Sequence, residues 1–283
     1  MELGSVGVWW SGSWRPAGEA QVDVPAELER LGYGTLWSSG GFDPGLAPRF
    51  ERLLAGTTTA VVASGIASVW LTPAAELADA VAALEDAAPG RFLLGIGASH
   101  APIVEAYHQP YSTMVAYLDA LDAAPRPVPR DRRILAALGP RMLELAAERS
   151  AGAHPYFVPV EHTARARQVL GTGPLLAPEV TVVLEEDPGP ARQAARSFTA
   201  GYLALPNYAR NLLRLGFDED DVAGAGSDRL VDAVVAWGSV GDVVARIRAH
   251  HDAGADHVCI QVVSGADGFP LDAYRELAAA LAA

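Results

Sequence analysis

The chain has 283 residues, half of them hydrophobic, and a formal charge of −13. That length suits one large α/β domain or two small ones, and an acidic balance without basic clusters argues against nucleic acid or an anionic membrane as partner. All 21 basic residues are arginine and Cys259 is the single cysteine, so a lysine Schiff base, a lysine-dependent phosphate loop and an internal disulfide are excluded.

In chain order, residues 3–10 read as a first strand. Val24, Leu28 and Leu31 have helical spacing and predict a helix over 21–31, ended by Gly32. A short strand over 35–37 runs into Ser38-Ser39-Gly40-Gly41, and 44–54 reads as helix. Residues 58–69 are rich in β-branched side chains and predict a third strand, interrupted at Gly65. A helix over 73–87 has Pro73 in its first turn and Thr72 as its cap. The strand over 91–96 ends at Gly97-Ala98-Ser99-His100, and helical segments follow at 103–107 and 113–123. A Pro-rich connector covers 125–129.

Residues 132–156 form one βαβ unit. A strand over 132–138 meets the turn Gly139-Pro140, a helix runs from Met142, Gly152 closes it, and a second strand starts at Ala153. A helix over 161–170 and a strand over 179–184 come next. Residues 190–237 depart from the alternation, with helices over 191–203, 208–215 and 228–236 around an acidic turn at 218–221. Ser239 and Asp242 resemble a capping box that opens a helix to Ala253. A strand over 257–263 and a helix over 271–281 complete the chain. Eight β-then-α units fit a TIM (β/α)₈ barrel, in a single domain over 1–283 with a helical insertion at about 190–237 after strand seven. A doubly wound open sheet is the alternative. It leaves the eighth strand and the excursion harder to place.

In a barrel the carboxyl ends of the strands carry function and the amino ends carry stability. His100 stands at the top of strand four; the competing reading is a cap for the next helix. His154 falls near the top of the short sixth strand. His162 suits a capping contact, His250 and His251 a solvated helix face, and His257 a structural hydrogen bond at the bottom. The histidines show no metal-ligand spacing, so no metal site is expected. The turns Gly97-Ala98-Ser99 and Ala137-Leu138-Gly139-Pro140 would be neighbours at the mouth, where backbone amides can hold a phosphate or a cofactor tail. Ser64-Gly65-Ile66-Ala67 marks either a bulge beneath a flat ring or a simple bend of the barrel. Trp9, Trp10, Trp14, Trp37 and Trp70 fall at or just beyond strand tops and would make an apolar mouth for a planar ligand. Ser264, Gly265 and Asp267 are loop candidates after strand eight, and Cys259 reads as core. The opening MELGSVGVWW lacks a basic region before a long apolar run, and no stretch reaches a membrane span. A cytoplasmic location is expected.

Several stretches carry a resemblance: GVWW, LERLGYGTLW, SGIASVW, GRFLLGIGASHAPIV, YLDALDAA, LAALGPRMLELAAERSAGAHPY, EHTARAR, LPNYARNLLRLGF, DRLVDAVVAWG and AGADHVCIQVV. They span nearly the whole chain, which resembles the luciferase-like monooxygenase superfamily, specifically its coenzyme F420-dependent oxidoreductases. The resemblance implies a deazaflavin in the barrel mouth, its ring against a bulge in strand three with a non-proline cis peptide at Gly65-Ile66. It implies cofactor-binding residues Gly65, Ile66, Ala67, Gly97, Ala98, Ser99, Ala137, Leu138, Gly139 and Pro140. It implies a substrate pocket of Trp9, Trp37, Trp70 and Tyr156, hydride transfer aided by His100, and a homodimer. FMN is the sister cofactor, with oxygen chemistry. Many relatives carry a Glu, Asp or His just after strand two; here Ser38 and Ser39 occupy that place and are weak general bases. A barrel that retains cofactor without turnover is therefore a third reading.

Overall fold

A computed structural model describes residues 1–10, 24–40, 47–264 and 268–283. Its strands are β1 (Val6–Trp10), β2 (Thr35–Ser39), β3 (Val61–Gly65), β4 (Ala67–Ser68), β5 (Phe92–Gly97), β6 (Arg133–Leu135), β7 (Gly152–Ala153), β8 (Leu175–Leu176), β9 (Glu179–Leu184), β10 (Val235–Gly238) and β11 (Val258–Val262). The helices between them are α1 (Val24–Arg30), α2 (Ala47–Ala55), α3 (Ala74–Ala87), α4 (Pro110–Asp122), α5 (Pro140–Arg149) and α6 (Val160–Leu170). After β9 come α7 (Pro188–Leu203), α8 (Pro206–Leu215), α9 (Glu219–Val222) and α10 (Asp228–Val234), and the chain closes with α11 (Val240–Asp252) and α12 (Leu271–Leu281).

All pairings are parallel, in the order β10-β9-β11-β1-β2-β3-β5-β6-β7-β8. The two sides of this curled sheet meet in one segment. β8 pairs with β7, and two residues later β9 pairs with β11. The backbone between them bonds both ways: Ala177 N–H donates to Ala153 O at 2.9 Å, while Pro178 O accepts from Cys259 N–H at 2.9 Å.

Alternation along the strands explains the closure. Trp37, Ala63, Leu93, Ile134 and Cys259 face an inner core, while their neighbours Leu36, Val62, Leu94, Leu135 and Ile260 pack outward under the helices. Both faces of a parallel sheet are buried, so the strands read as near-continuous apolar runs. The expected barrel with its helical insertion is therefore the architecture.

The interruption of strand three and its cis peptide fall where expected, while other details differ from the sequence expectations. Strand three breaks into β3 and β4 at a cis peptide between Gly65 and Ile66. There the Ser64 hydroxyl takes over the ladder, accepting from Gly95 N–H at 2.8 Å and donating to Gly95 O at 3.0 Å. A Cβ on Gly95 would lie 2.0 Å from Ser64 O, so only glycine allows the two backbones to approach this closely. Residues 228–236 are not one helix: α10 gives way to β10, because Val235 and Ala236 find a free edge on β9. Residues 103–107 form turns rather than a helix. Pro73, not Thr72, occupies the N-cap of α3, and Thr72 O instead accepts from the Tyr117 hydroxyl. Gly152 belongs to β7, since α5 already ends at Arg149. The Ser239–Asp242 capping box is present at the start of α11.

Candidate functional site

A cavity of about 570 Å³ opens at the carboxyl ends of the strands. Its walls come from four directions. β1 supplies Trp9, the segment after β7 supplies His154 and Tyr156, and the break at the end of β3 supplies Gly65 and Ile66. The loops after β5 and β6 supply Gly97 to His100 and Ala136 to Gly139. The insertion supplies Tyr202, Asn207, Tyr208, Arg210 and Arg214.

The cavity wall near the cis bond is closely packed. A Cβ on Gly97 would meet Ile66 Cγ2 at 2.8 Å and Ala136 Cβ at 3.2 Å, and one on Gly65 would meet Trp9 Cζ3 at 2.5 Å. Ser99 holds a left-handed backbone with φ 56, a conformation that costs a residue with a side chain roughly 1 kcal/mol or more.

His100 lines the cavity and its Nδ1–H donates to Asn207 Oδ1 at 2.8 Å. Burial lowers its pKa, and the Asn207 bond opposes that. The ring is therefore neutral near pH 7, with Nε2 as an acceptor. His154 is fully buried, and its Nδ1–H donates to Ala177 O at 2.6 Å. Burial pushes its pKa down to about 3, against the Ala177 bond. Its ring lies parallel to Trp37 at 4.2 Å and to Trp9 at 5.6 Å. Behind Trp37, the indole N–H donates to His257 Nε2 at 3.1 Å, and His257 Nδ1–H donates to Gly4 O at 2.8 Å.

An aromatic wall joins the insertion to the barrel. Tyr202 O–H donates to the Tyr156 hydroxyl at 3.0 Å, which donates to Gln261 Oε1 at 2.6 Å. Burial raises both phenols, Tyr202 to about 12 and Tyr156 well above the usual range. Beneath them Glu179 is buried, and burial pushes its carboxyl up to about 8, against bonds from the Thr181 hydroxyl and the Phe157 amide.

Of the residues singled out in the sequence, Ser39, Gly65, Ile66, Gly97, Ala98, Ser99, His100, Ala137, Leu138, Gly139, Trp9 and Tyr156 line this cavity. Five stand outside its lining. Ser38 is buried and its hydroxyl accepts from Arg49 at 3.1 Å, on the helix side of β2. Ala67 is buried in the ladder against β5. Pro140 opens α5. Trp37 is covered by His154, and Trp70 turns its indole N–H to Ala98 O at 2.6 Å while packing on Tyr107 and His108. Trp10 stacks on Phe269, leaving Trp9 as the lining indole among the described residues; Trp14, Gly41, Gly265 and Asp267 lie outside them.

His250 is not solvated: it is buried, at 2.8 Å from the Thr163 hydroxyl. His162 is no cap either. It is buried, and its Nε2–H donates to Leu138 O at 3.0 Å. Arg141 sits over the Tyr111 ring at 4.2 Å. The sequence reading missed the whole contribution of the insertion. The available signal was the spacing of Asn207, Arg210 and Arg214, which share one face of α8. Among the described residues no cluster of three or more His, Cys, Asp or Glu could hold a metal ion, and no helix is long and apolar enough to cross a membrane.

A family model described as Luciferase-like monooxygenase matches residues 1–257. No curated protein matches the chain. Among solved structures, the chain is similar to an F420-dependent secondary alcohol dehydrogenase in complex with an F420-acetone adduct, at 13% identity, TM-score 0.75 and 99% coverage of both chains. It is also similar to the coenzyme F420 dependent tetrahydromethanopterin reductase from Methanopyrus kandleri, at 14% identity, TM-score 0.68 and 98% of both chains. A third is the oxygenating constituent of 3,6-diketocamphane monooxygenase from Pseudomonas putida, in complex with FMN, at 16% identity, TM-score 0.66, 98% of this chain and 97% of that one. At these identities the likeness establishes the shared fold.

Proposed function

This chain belongs to the luciferase-like monooxygenase family, a family of oxidoreductases, and on that premise we propose that it is an F420-dependent oxidoreductase passing a hydride between the deazaflavin and a small organic substrate. The observation that carries the choice of cofactor is the pair Arg210 and Arg214. Both line the mouth from α8, Arg214 beside the Gly139 turn, and among the described residues neither has a carboxylate partner. In a chain with 34 acidic residues against 21 arginines, two cations left unpaired beside a cavity favour a ligand with several negative charges. The tail of F420 carries a phosphodiester and carboxylates, whereas FMN carries one phosphate.

The residues present fit such a ligand. Trp9, Gly65-Ile66 and the backbone from Gly97 to Ser99 form one wall of the cavity, kept free of side chains at the two glycines, against which a flat ring can lie. When bound, the deazaflavin supplies the carbon that gives or takes the hydride. The protein orients that ring, and Tyr156, Tyr202 and Tyr208 screen it from water. His100, neutral and held by Asn207, takes the proton that accompanies hydride loss from a substrate hydroxyl, or returns it through the reverse step. β2 itself ends in two hydroxyl residues: Ser39 borders the cavity and Ser38 faces Arg49. The homodimer implied by the resemblance belongs to the same proposal and is read by light scattering.

Fluorescence titration with F420 and with FMN tests the reading. F420 is expected to bind at micromolar Kd or better and more tightly than FMN. Tighter FMN binding with oxygen-dependent turnover would make the protein a flavin monooxygenase. Tight F420 binding with no hydride exchange under any substrate would leave a cofactor-retaining barrel.

A further inference from the structure

His154 is the least expected group in the cavity wall. β7 is two residues long, and the chain leaving it places the imidazole inside the barrel, parallel to Trp37 and Trp9. Its protonation pattern is fixed by its neighbour. Ala177 O can only accept, so Nδ1 carries the hydrogen and Nε2 carries a lone pair. That Nε2 is buried and has no hydrogen-bond partner.

Three donors of the aromatic wall are committed elsewhere. The Trp37 indole N–H goes to His257, the Tyr156 hydroxyl to Gln261, and the Tyr202 hydroxyl to Tyr156. His154 meanwhile lines the cavity. A buried acceptor without a partner is costly, so the fold tolerates an unmade bond on a side chain of the cavity wall.

We propose that Nε2 of His154 is an acceptor-only position deep in the cavity, which selects ligands that present an N–H or O–H donor there. A ligand that presents only a carbonyl or ether oxygen sets lone pair against lone pair and leaves Nε2 unpaired. Sites built around such a bond discriminate strongly against the analogue that lacks it. The donor can be a ring N–H of the cofactor or the hydroxyl of a substrate, and the two sources are separable. Trp37 and His257 act as positioning residues, since they hold the plane on which the imidazole lies. The inference rests on the cavity being the ligand site proposed above, and not on which cofactor fills it.

The test is the ¹⁵N spectrum of histidine-labelled protein, with F420 fluorescence recorded on the same samples. The His154 Nε2 signal, assigned by its loss in His154→Phe, is expected at the unprotonated position in the free protein. F420 alone moves it upfield if the cofactor is the donor. If the substrate is the donor, cyclohexanol moves it and cyclohexanone does not. His154→Phe, which keeps a flat ring and removes the acceptor, is expected to weaken the ligand that shifted the signal about tenfold, the equivalent of one hydrogen bond, with its melting temperature recorded alongside. A protonated Nε2 in the free protein overturns the proposal. So does a signal unmoved by F420 and by cyclohexanol, or one moved equally by cyclohexanone. Should F420 fail to bind, the cofactor proposal falls while the alcohol–ketone contrast still decides the role of His154.

Discussion

The two ends of the barrel treat polar groups in opposite ways. At the amino end they are consumed. Glu29 accepts the backbone N–H groups of Thr58, Thr59 and Ala60 and two threonine hydroxyls. Arg91 donates to the carbonyls of Leu54, Thr57 and Ala60. Arg167 donates to Gly171, Pro174 and Gly254 and pairs with Asp256 at 2.5 Å, whose carboxylate also receives the Leu176 amide. At the carboxyl end they are left over. The buried side-chain atoms without partners among the described residues are His154 Nε2, His162 Nδ1 and Asn211 Nδ2. All three lie around or behind the mouth, in β7's exit, α6 and α8. A fold that closes one end with hydrogen bonds and leaves the other end short of them is stabilised below and ligand-ready above.

Acid should strain this contrast most. His154, His162, His250 and His257 are held neutral by burial, at about 3, 4, 3 and 4, whereas an unfolded imidazole titrates near 6.5. Their folded values are depressed, so the unfolded chain binds the extra protons. Stability is full above about pH 6.5 and falls as pH drops from there towards 4 and 3. At about pH 4.5 the loss is roughly 3 kcal/mol per histidine, and four together approach the whole stability of a domain. Circular dichroism should show cooperative acid unfolding near pH 4–5, and a chain still native at pH 3.5 would contradict the burial argument.

Substitutions then separate the two ends. Gly97→Val collides with Ile66 and Ala136 and displaces the cavity wall, and it should weaken F420 about a hundredfold, with a modest fall in melting temperature. Unchanged affinity would move the ring elsewhere. Glu29→Ala, at the other end, should lower stability by about 2 kcal/mol and melting temperature by a few degrees, leaving the F420 Kd alone. Its carboxyl is held down at about 2: partial burial opposes this, and the amides of Thr59, Ala60 and Thr58 outweigh it. The smallest effect is expected from Arg210→Ala with Arg214→Ala. F420 should weaken about tenfold at low salt and less at high salt, FMN less than that, and the melting temperature should stay. Equal losses for both cofactors would leave the arginine pair without a part in choosing between them.

The contrast between the ends also explains what could be read from the residues. Gly97 to His100 and Ala137 to Gly139 were found because strand ends announce themselves through glycine, proline and the end of an apolar run. The barrel was legible for the same reason, since each strand buried on both faces is a continuous apolar run. Glu29, Arg91 and Arg167 were invisible: a charge on a helix or before a strand looks solvated until the chain's return brings carbonyls to it. His154 was ambiguous because β7 is too short for its alternation to set a direction. The α8 residues were missed because nothing local says where an excursion lands. The helical spacing of Asp228 to Ala236 predicts helix through Val235 and Ala236, and only the waiting edge of β9 turns these two residues into strand.

The pairing of β1 with β11 sets Val6 beside Val258. During synthesis the first strand emerges long before its second neighbour exists. Until residue 262 leaves the ribosome, one edge of β1 and the Trp37 indole N–H, which bonds to His257, have no final partner. A chain of this topology is predicted to finish folding late and to depend on protection while it waits. Translation arrested before β11 should yield an aggregation-prone intermediate. The vulnerable moment for this protein in a cell is thus its birth.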